Sequence, residues 1–449
     1  MLKFRDTEIK EALGDLLISS NASSEAAFEP LTDTSKIKGG ELFIGLRGGN
    51  TPKVAQIAVD AGAGALLLSF EADFKIPSYL VKDTEKALAA LGAYRRAQLK
   101  TPIIAVTGSN GKTTTKNMLA AALSSRGEIL KTQGNLNNEL GVPLTLLNLT
   151  SEANAAVVEM GMNHKGEISV LSRLTRPDAA VISNIGTAHL EFLGSRENIA
   201  RAKAEIFEGL EKGAAVALPY ESDFFALLKS LAEESNLKVI SFGHGSDCEF
   251  VIQEESIKGL KGILKTPKGQ APLSVPVFGN YQAANIAAAA AGALALFPEL
   301  TVEEISAGLA KTPCEHLRNE VHEKNGVVFI LDCYNANPDS MEASLKTFKN
   351  LKSTGKKAVL LGSMLEIGEA AEAAHEKMGR LAAETAQKLL FLGDFAKAYA
   401  KGAKEAGGKP IILEKENVIE NLRAELEKGD TILFKGSRLN KLESYYEEI

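Results

Sequence analysis

The chain has 449 residues, a length typical of about three domains rather than one. Hydrophobic residues make up 45% and charged residues 24%, which excludes wholesale disorder and is typical of a globular protein that can build several apolar cores. Lys and Arg number 51 against 57 Asp and Glu, so the formal net charge of -6 disfavours a nucleic-acid-binding protein.

The cysteine content and the apolar runs indicate the cellular compartment of the protein. The three cysteines, Cys248, Cys314 and Cys333, lie far apart without metal-ligand spacing, so they predict neither a disulfide framework nor a zinc site. Residues 1–20 lack the continuous apolar core of a signal peptide. The longest apolar run, Ile286 to Phe297, is shorter than the roughly 20 residues that span a bilayer and predicts a buried helix. We therefore expect a cytoplasmic protein without a membrane span.

The first hundred residues have the pattern of a small α/β domain. Short apolar runs, Glu41 to Leu46 and Gly64 to Ser69, predict strands between polar turns. An alanine-rich helical pattern follows and ends near Leu99. The pattern then changes at Thr101-Pro102, where we place the start of a second domain.

The second domain is predicted to be a doubly wound, mostly parallel sheet. Ile103 to Val106 reads as a buried strand, and a glycine-rich turn leads from it into the helical pattern of Lys112 to Ser125. Further strand-like runs alternate with helical stretches, which is typical of βαβ units. These runs are Ala155 to Val158, Ala179 to Ser183, Ala214 to Leu218 and Val239 to Phe242.

A few antiparallel strands and a third domain complete the predicted α/β fold. Antiparallel strands are expected between Phe250 and Phe278, with helix resuming at Tyr281. Lys311-Thr312-Pro313 is the predicted linker to a Rossmann-like domain, and we expect a hinge motion there. Its predicted strands are Val327 to Leu331, Ala358 to Leu361, Leu389 to Leu392, Ile411 to Leu413 and Thr431 to Phe434. The predicted domains are 1–100, 101–312 and 313–449.

The strongest local motif is the glycine-rich turn Thr107 to Thr114, which reads TGSNGKTT between a strand and a helix. Glycines let backbone N–H groups surround phosphates, Lys112 is placed to reach the outer phosphates, and the Thr113 hydroxyl is placed to bind Mg²⁺. The spacing is G-x-x-G-K-T, because position 106 is Val rather than Gly. The predicted ATP-binding residues of the loop are Gly108, Ser109, Asn110, Gly111, Lys112, Thr113 and Thr114. The alternative is a glycine turn that only caps a helix.

Two further polar residues follow predicted parallel strands. Glu159 ends the run that starts at Ala155, where a carboxylate would meet a metal held by the phosphate loop, and it is a predicted Mg²⁺ ligand. His189 follows the third strand at the same predicted sheet edge. Taken alone, Glu159 could equally face solvent and His189 would more often be structural.

These motifs resemble the Mur ligases, ATP-dependent amide-forming enzymes of cytoplasmic peptidoglycan synthesis and cell-wall biogenesis. The resemblance covers essentially the whole chain, and its markers are the loop at Thr107 to Thr114, Glu159-Met160-Gly161, Asn184 to His189 and Ala202 to Phe207. Asn135 to Pro143 and Asp332 to Met341 resemble the branch that adds D-Ala-D-Ala to UDP-N-acetylmuramoyl-tripeptide.

The resemblance implies a mechanism and an active site. ATP phosphorylates the tripeptide carboxylate, and the amine of D-Ala-D-Ala attacks the acyl phosphate. Lys112 with two Mg²⁺ ions would neutralise the approaching anions. By resemblance the metal ligands are Thr113, Glu159, His189 and a carbamylated Lys203, and the catalytic residues are Lys112, Glu159, His189 and Lys203. Read without the family, Lys203 beside Glu205 and Glu208 is a surface salt-bridge residue.

The family also implies contacts for the nucleotide and the two substrates. In place of the usual G-x-H-N-x-x-N, this chain has Gly279 to Asn285, and a glutamine amide offers the same hydrogen bonds from a longer arm. The resemblance places Gln282, Asn285, Arg318 and Asp332 at the nucleotide. It places Asn137, Asn138, Asn335, Asn337, Lys435, Ser437 and Arg438 at the substrates. Judged without the family, Arg438 is about equally a charged surface residue or a substrate contact.

The N-terminal region departs from the family. Relatives often have D-[ST]-R followed by D-G-H, but this chain has Asp33-Thr34-Ser35-Lys36 and neither the arginine nor the D-G-H segment. We predict Thr34 and Ser35 as uridine-side residues, with Lys36 as a point charge that does not reproduce the planar fork of arginine.

Three functional hypotheses follow. The first is the D-Ala-D-Ala-adding ligase, acting as a monomer on small molecules. The second is another Mur-type or folylpolyglutamate-type ligase with a different acceptor, which the altered uridine region favours. The third is a P-loop scaffold or switch, disfavoured because Asn440-Lys441 is not followed by the rest of the N-K-x-D guanine motif.

Overall fold

The computed structural model describes residues 3–23, 25–71 and 73–449. Its N-terminal lobe contains a five-stranded sheet of order β2-β7-β6-β5-β4, in which only β2 pairs antiparallel, and a separate antiparallel pair, β1 and β3. The elements are β1 (Phe4–Arg5), α1 (Asp6–Leu13), β2 (Leu17–Ser20), β3 (Ala27–Phe28), β4 (Pro30–Leu31), β5 (Leu42–Ile44), α2 (Pro52–Asp60), β6 (Ala65–Leu68), β7 (Ser78–Val81) and α3 (Thr84–Gln98).

The central lobe is built on a six-stranded, all-parallel sheet of order β13-β12-β11-β8-β10-β9. Its elements are β8 (Ile103–Thr107), α4 (Lys112–Ala122), β9 (Ile129–Lys131), α5 (Gly141–Leu147), β10 (Ala155–Glu159), α6 (Glu167–Thr175), β11 (Ala179–Ile182), α7 (Leu190–Leu193), α8 (Arg196–Ala204), β12 (Ala215–Pro219), α9 (Phe225–Glu234) and β13 (Lys238–Phe242). Since β8 lies between β10 and β11, the residues after these three strands meet at one sheet edge.

An antiparallel three-stranded sheet of order β14-β15-β16 follows in the chain. Its strands and the next helices are β14 (Glu249–Ser256), β15 (Gly259–Thr266), β16 (Gly269–Val275), α10 (Gln282–Leu296) and α11 (Val302–Leu309). Helices α4 and α10 pack on one face of the parallel sheet, and α5, α6, α8 and α9 pack on the other. The predicted doubly wound sheet and antiparallel addition are therefore confirmed.

The C-terminal lobe has a six-stranded sheet of order β17-β18-β22-β19-β20-β21, parallel except for β17. Its elements are β17 (Glu320–Lys324), β18 (Val327–Asp332), α12 (Pro338–Asn350), β19 (Lys357–Leu361), α13 (Ala371–Thr385), β20 (Lys388–Leu392), α14 (Ala396–Glu405), β21 (Pro410–Leu413), α15 (Val418–Glu425), β22 (Thr431–Lys435) and α16 (Leu442–Glu448). Short 3₁₀ turns lie at Gly14–Leu16, Thr34–Lys36, Ser124–Arg126, Glu205–Gly209, Gly368–Ala370, Lys415–Asn417 and Arg438–Asn440. Among the described residues, no helix has the length and apolar character required to cross a bilayer.

His375 on α13 makes the C-terminal core sensitive to acid. The buried ring accepts a hydrogen bond from the Met364 amide (2.9 Å), donates one to the Ala371 carbonyl (2.6 Å) and stacks on Phe395. Both hydrogen bonds suit the neutral ring, and burial lowers its pKa.

We therefore expect stability to fall with acidification in a way that depends on His375. The unfolded chain takes up the histidine proton near pH ~6.5, whereas the folded chain resists it until a lower pH. The contribution of the neutral ring is thus fully present above that pH and is lost as the pH falls towards the lowered folded pKa. Urea midpoints of the wild type and His375→Gln at pH 7.5, 6.5 and 5.5 test this. The wild type should lose more stability on acidification, and parallel losses would contradict the prediction.

Candidate active site

The predicted phosphate loop, called the phosphate loop below, is the turn that joins β8 to α4. Gly108 (φ 154°) and Gly111 (φ 74°) have positive φ angles, which favour glycine. A β-carbon at Gly108 would collide with the Ser183 hydroxyl, so glycine also permits this close approach. The end of β11 supports the loop, because the Asn110 amide donates to Asn184 Oδ1 (2.7 Å) and the Ser183 hydroxyl donates to the Asn110 carbonyl (2.7 Å).

Lys112 lies inside this loop without an ion pair to any described residue. Its Nζ donates to the Gly108 carbonyl at 2.9 Å. Burial lowers the pKa of Lys112, the nearby charge of Arg318 lowers it further, and Glu159 opposes both. A bound phosphate would supply the anionic partner for this lysine, which is the chemistry that a nucleotide loop requires.

Glu159, at the end of β10, lies beside the loop as predicted from the parallel strands. Its Oε1 accepts hydrogen bonds from the Thr113 hydroxyl (3.3 Å) and from Asn137 Nδ2 (2.8 Å). Its Oε2 makes no hydrogen bond within the described chain but lies 3.3 Å from Lys116 Nζ, and the Lys116 and Glu159 side chains are both only 2% exposed. Asn138 instead accepts a hydrogen bond from the backbone at the start of α5 (3.0 Å).

The sequence interpretation overlooked Lys116. It lies four residues after Lys112 on α4, and this i to i+4 spacing places both lysines on one side of the helix. That spacing could have drawn attention to Lys116. Only the tertiary structure, however, shows that its ammonium group lies beside the Glu159 carboxylate.

His189 and Lys203 are drawn into the same region. His189 adopts a left-handed backbone (φ 65°), and its buried Nδ1 has no hydrogen-bond partner among the described residues. Burial, with the charges of Lys203, Lys112 and His164, lowers the pKa of His189 to about 4. The ring is therefore neutral at pH 7 and keeps a nitrogen lone pair for a ligand.

Lys203, on α8, is 1% exposed and forms neither a hydrogen bond nor an ion pair with the described part of the chain. Burial, together with the charge of Lys112, lowers the pKa of Lys203 well below its ordinary value. The interpretation of Lys203 as a surface salt-bridge residue is wrong, because its side chain points into the protein and not towards solvent.

The donor set fits magnesium held jointly with a nucleotide. Within residues 3–23, 25–71 and 73–449, no group of three or more His, Cys, Asp or Glu side chains is arranged to hold a metal on its own. Mg²⁺ commonly takes one or two protein carboxylates and completes its shell with phosphates and water. The Thr113 hydroxyl and the Glu159 carboxylate suit that arrangement, and the unpartnered His189 nitrogen would add a less usual, non-oxygen ligand.

The predicted adenine residues lie at the start of α10. Gln282 Oε1 accepts a hydrogen bond from Asn285 Nδ2 (2.7 Å), and Asn285 Oδ1 accepts one from the Thr115 hydroxyl (3.3 Å). A small cleft opens beside them towards the predicted linker, and Thr114, Gln282, Pro313 and Arg318 are among the residues that line it.

The sequence interpretation also missed Asn117 and Glu315, which line the same cleft. Asn117 Nδ2 donates to Glu315 Oε2 at 2.6 Å and so joins helix α4 to the linker region. No motif marks either residue, because their relation depends on a contact between segments 198 positions apart.

The C-terminal lobe contributes side chains to the phosphate loop. Arg318 stacks on Tyr334 and donates to the Thr113 hydroxyl (3.2 Å). Asn337 Nδ2 donates to Asn110 Oδ1 (2.7 Å), while Asn337 Oδ1 caps α12. These two residues therefore lie where a nucleotide would bind between the lobes.

The remaining predicted C-terminal residues make hydrogen bonds or ion pairs within their own lobe. Asp332 Oδ2 forms a 2.6 Å ion pair with Lys435 and accepts a hydrogen bond from Ser344 (2.9 Å). The Ser437 hydroxyl is buried and donates to the Ala336 carbonyl (3.2 Å).

Two predicted substrate residues at this end make other local contacts. Asn335 Oδ1 accepts a hydrogen bond from the next amide (2.9 Å), and the half-exposed Arg438 pairs with Glu443. Their predicted roles at the substrate stay predictions.

The predicted uridine-side residues lie in a separate 3₁₀ turn of the N-terminal lobe. The Ser35 amide and hydroxyl both donate to Asp33 Oδ1 (3.0 and 2.7 Å), and the exposed Lys36 lies 3.7 Å from Asp33 Oδ2. No hydrogen bond or ion pair joins Thr34 or Ser35 to the described residues of the central lobe. Their role also stays a prediction.

Comparison with known proteins agrees with this fold. Residues 106–293 match the model of the Mur ligase middle domain, and residues 317–438 match that of the Mur ligase glutamate ligase domain. The chain therefore belongs to the Mur ligase family, as the motifs predicted.

The relatives narrow this class further. The UDP-N-acetylmuramoyl-tripeptide–D-alanyl-D-alanine ligase of Bacillus subtilis is 35% identical over 100% of this chain and 99% of its own length. A crystal structure of MurF from Acinetobacter baumannii has a TM-score of 0.90 and 32% identity, covering 100% of this chain and 99% of the other. The MurF ligase of Thermotoga maritima in complex with ADP has a TM-score of 0.80 and 26% identity, covering 94% and 96%. Within the Mur ligases, the chain falls with the D-Ala-D-Ala-adding branch.

Proposed function

We infer that this chain is an ATP-dependent amide ligase that joins D-Ala-D-Ala to UDP-N-acetylmuramoyl-tripeptide in peptidoglycan precursor synthesis. The observation that carries this conclusion is similarity along the entire chain to a relative with that named activity. The same similarity favours it over a ligase with another acceptor and over a nucleotide-binding scaffold.

The reaction has two steps, a phosphoryl transfer to the tripeptide carboxylate and then an acyl transfer to the amine. A tripeptide carboxylate oxygen attacks the γ-phosphorus of ATP, the bond to the β–γ bridging oxygen breaks, and ADP leaves. The neutral amine of D-Ala-D-Ala then attacks the acyl carbon, an amide bond forms, phosphate leaves with the C–O bond electrons, and the amine proton passes to solvent or a base. The first step brings two anions together, so stabilisation of negative charge is the main task of the protein.

The residues around the phosphate loop are suited to that task. Lys112 supplies a cation that burial leaves poorly solvated, so its attraction to phosphate is strong. Thr113, Glu159 and His189 would hold Mg²⁺, which lowers the repulsion between the phosphates and the attacking carboxylate when it is bound. Lys203 is suited to carbamylation, because a neutral buried amine is the form that reacts with CO₂ and no described side chain competes for it.

We propose a division of labour among segments 1–100, 101–312 and 313–449. The first would bind the UDP-linked substrate through the region of Thr34 and Ser35. The second holds ATP. The third would complete the nucleotide site with Arg318 and Asp332 and would receive the dipeptide near Asn335 and Arg438.

A phosphate-release assay tests the proposed function. We expect purified protein with Mg²⁺ to release phosphate only when ATP, UDP-N-acetylmuramoyl-tripeptide and D-Ala-D-Ala are all present. Mass spectrometry should show a product heavier than the tripeptide substrate by one dipeptide less water. Omission of each component in turn is the control. ATP binding without product for any tripeptide would reject this acceptor and favour the ligase with a different one.

A further inference from the structure

The segment that carries His189 is held by the C-terminal lobe through one carboxylate. Residues 183–189 connect β11 to α7 and form neither strand nor helix. Asp339, in the first turn of α12, accepts two hydrogen bonds on Oδ2, from the Thr187 amide (2.7 Å) and from the Thr187 hydroxyl (2.9 Å). The contact therefore reaches the chain two residues before His189.

The backbone at Gly186, next to Thr187, leaves room for the Asp339 carboxylate. A β-carbon at Gly186 would lie 2.5 Å from Asp339 Oδ2, so only glycine leaves room for it. The Gly186 amide itself donates to the Ser109 hydroxyl of the phosphate loop (2.9 Å). The segment is thus bound both by its own lobe and by the C-terminal lobe.

A second hydrogen bond joins the same two lobes close to this contact. Asn337, which caps the helix that bears Asp339, donates to Asn110 of the phosphate loop (2.7 Å). When this end of α12 docks on the central lobe, both contacts therefore form at once. Asn337 reaches the phosphate loop and Asp339 reaches Thr187. If the lobes separate, the Thr187 amide and hydroxyl lose their shared acceptor, and the backbone before His189 loses its support from that side.

We propose that Asp339 is a positioning residue that couples docking of the C-terminal lobe to the placement of His189. The inference rests on the proposed function, in which His189 lies at the reacting groups. The His189 segment then reaches its working conformation only when the nucleotide-binding lobes are together. Because small displacements of a reacting group cost large factors in rate, such coupling makes turnover depend on closure.

Hydrogen–deuterium exchange of the full chain with a nonhydrolysable ATP analogue and Mg²⁺ tests the contact directly. In Asp339→Ala, the peptide that contains Thr187 should exchange at least several-fold faster than in the wild type. In Asp339→Asn, whose amide oxygen still accepts, the change should be smaller. The matched control is Glu342→Ala on the same helix, where, among the residues that the structure describes, the carboxylate pairs only with Lys346 and Lys377 at the surface. That variant should leave the Thr187 peptide unchanged.

Steady-state kinetics separates positioning from a general loss of structure. We expect Asp339→Ala to lower kcat about tenfold or more, in keeping with the cost of a misplaced reacting group, with less change in the KM for ATP and an unaltered melting temperature. Asp339→Asn should recover part of kcat. Unchanged exchange at Thr187, or an equal loss of kcat in Glu342→Ala, would overturn the proposal. A wild type without ligase activity would reject the proposed function, whereas the exchange comparison would still decide whether Asp339 holds the segment.

Discussion

Replacing Lys203 by alanine should lower kcat by about 100-fold or more, since loss of one preorganised charged group at a reacting centre commonly costs 10²–10³ in rate. Lys203 is 1% exposed and has no ionic partner in the described chain, which is costly for a plain ammonium group. A carbamate at Nζ would convert it into an anion able to support a metal. Short carboxylates such as formate or acetate should therefore restore part of the activity of Lys203→Ala, measured by phosphate release.

Two further variants make this result specific. Lys203→Met keeps most of the side-chain volume, so it should remain folded, be equally inactive and leave less space for rescue. Arg201→Ala removes an exposed cation from the same helix, whose partner is Glu197, and should retain activity. Normal turnover in Lys203→Ala, or no rescue by any short carboxylate, would remove the carbamate role.

The second large effect is expected at Lys112. We expect Lys112→Met to lower kcat/KM by about 10²–10³-fold, because the variant loses the cation that faces the transferred phosphate. Its folding stability should not fall in the absence of nucleotide. Burial disfavours the charged lysine there, as its lowered pKa shows, whereas methionine has similar length and no charge.

Activity and stability should therefore change independently at this position. Thermal melting without ATP should give a midpoint at or above that of the wild type, and the shift that ATP with Mg²⁺ adds to the midpoint should shrink. Lys258→Met, in the exposed turn between β14 and β15, is the control and should change neither activity nor the ATP-induced shift. A loss of stability as large as the loss of activity would show that Lys112 acts mainly by holding the loop together.

The sequence predicted the parts of the fold that depend on residues close together in the chain. Buried runs such as Ile103 to Val106 and Ala179 to Ser183 became strands β8 and β11, and the glycine-rich turn joins β8 to helix α4 as predicted. Strand β17 was missed, because Glu320–Lys324 is largely charged and forms an outer, antiparallel strand. The two-residue strands near the N-terminus are too short for any periodicity to show.

Site residues divide in the same way. Thr107 to Thr114 and Glu159 could be found from the sequence, because each follows a predicted strand and parallel strands end at a common edge. Neither the contact of Lys116 with Glu159 nor that of Asp339 with Thr187 could be inferred, since the latter joins positions 152 residues apart. Local spacing contains no information about which distant side chains meet.

Lys203 shows most clearly where sequence information ends. By itself, the amino-acid sequence determined a three-domain α/β organisation, a glycine-rich strand-to-helix loop of the kind that binds nucleotides, and membership of the Mur ligase family. Strand burial, glycine turns and motif spacing are properties of neighbouring residues, so the sequence contains them. The tertiary structure alone decided that Lys203 is buried without a partner, that His189 keeps a free nitrogen and that Asn337 reaches the phosphate loop. These properties arise from packing between segments far apart in the chain, which sets burial, charge and contact at the site.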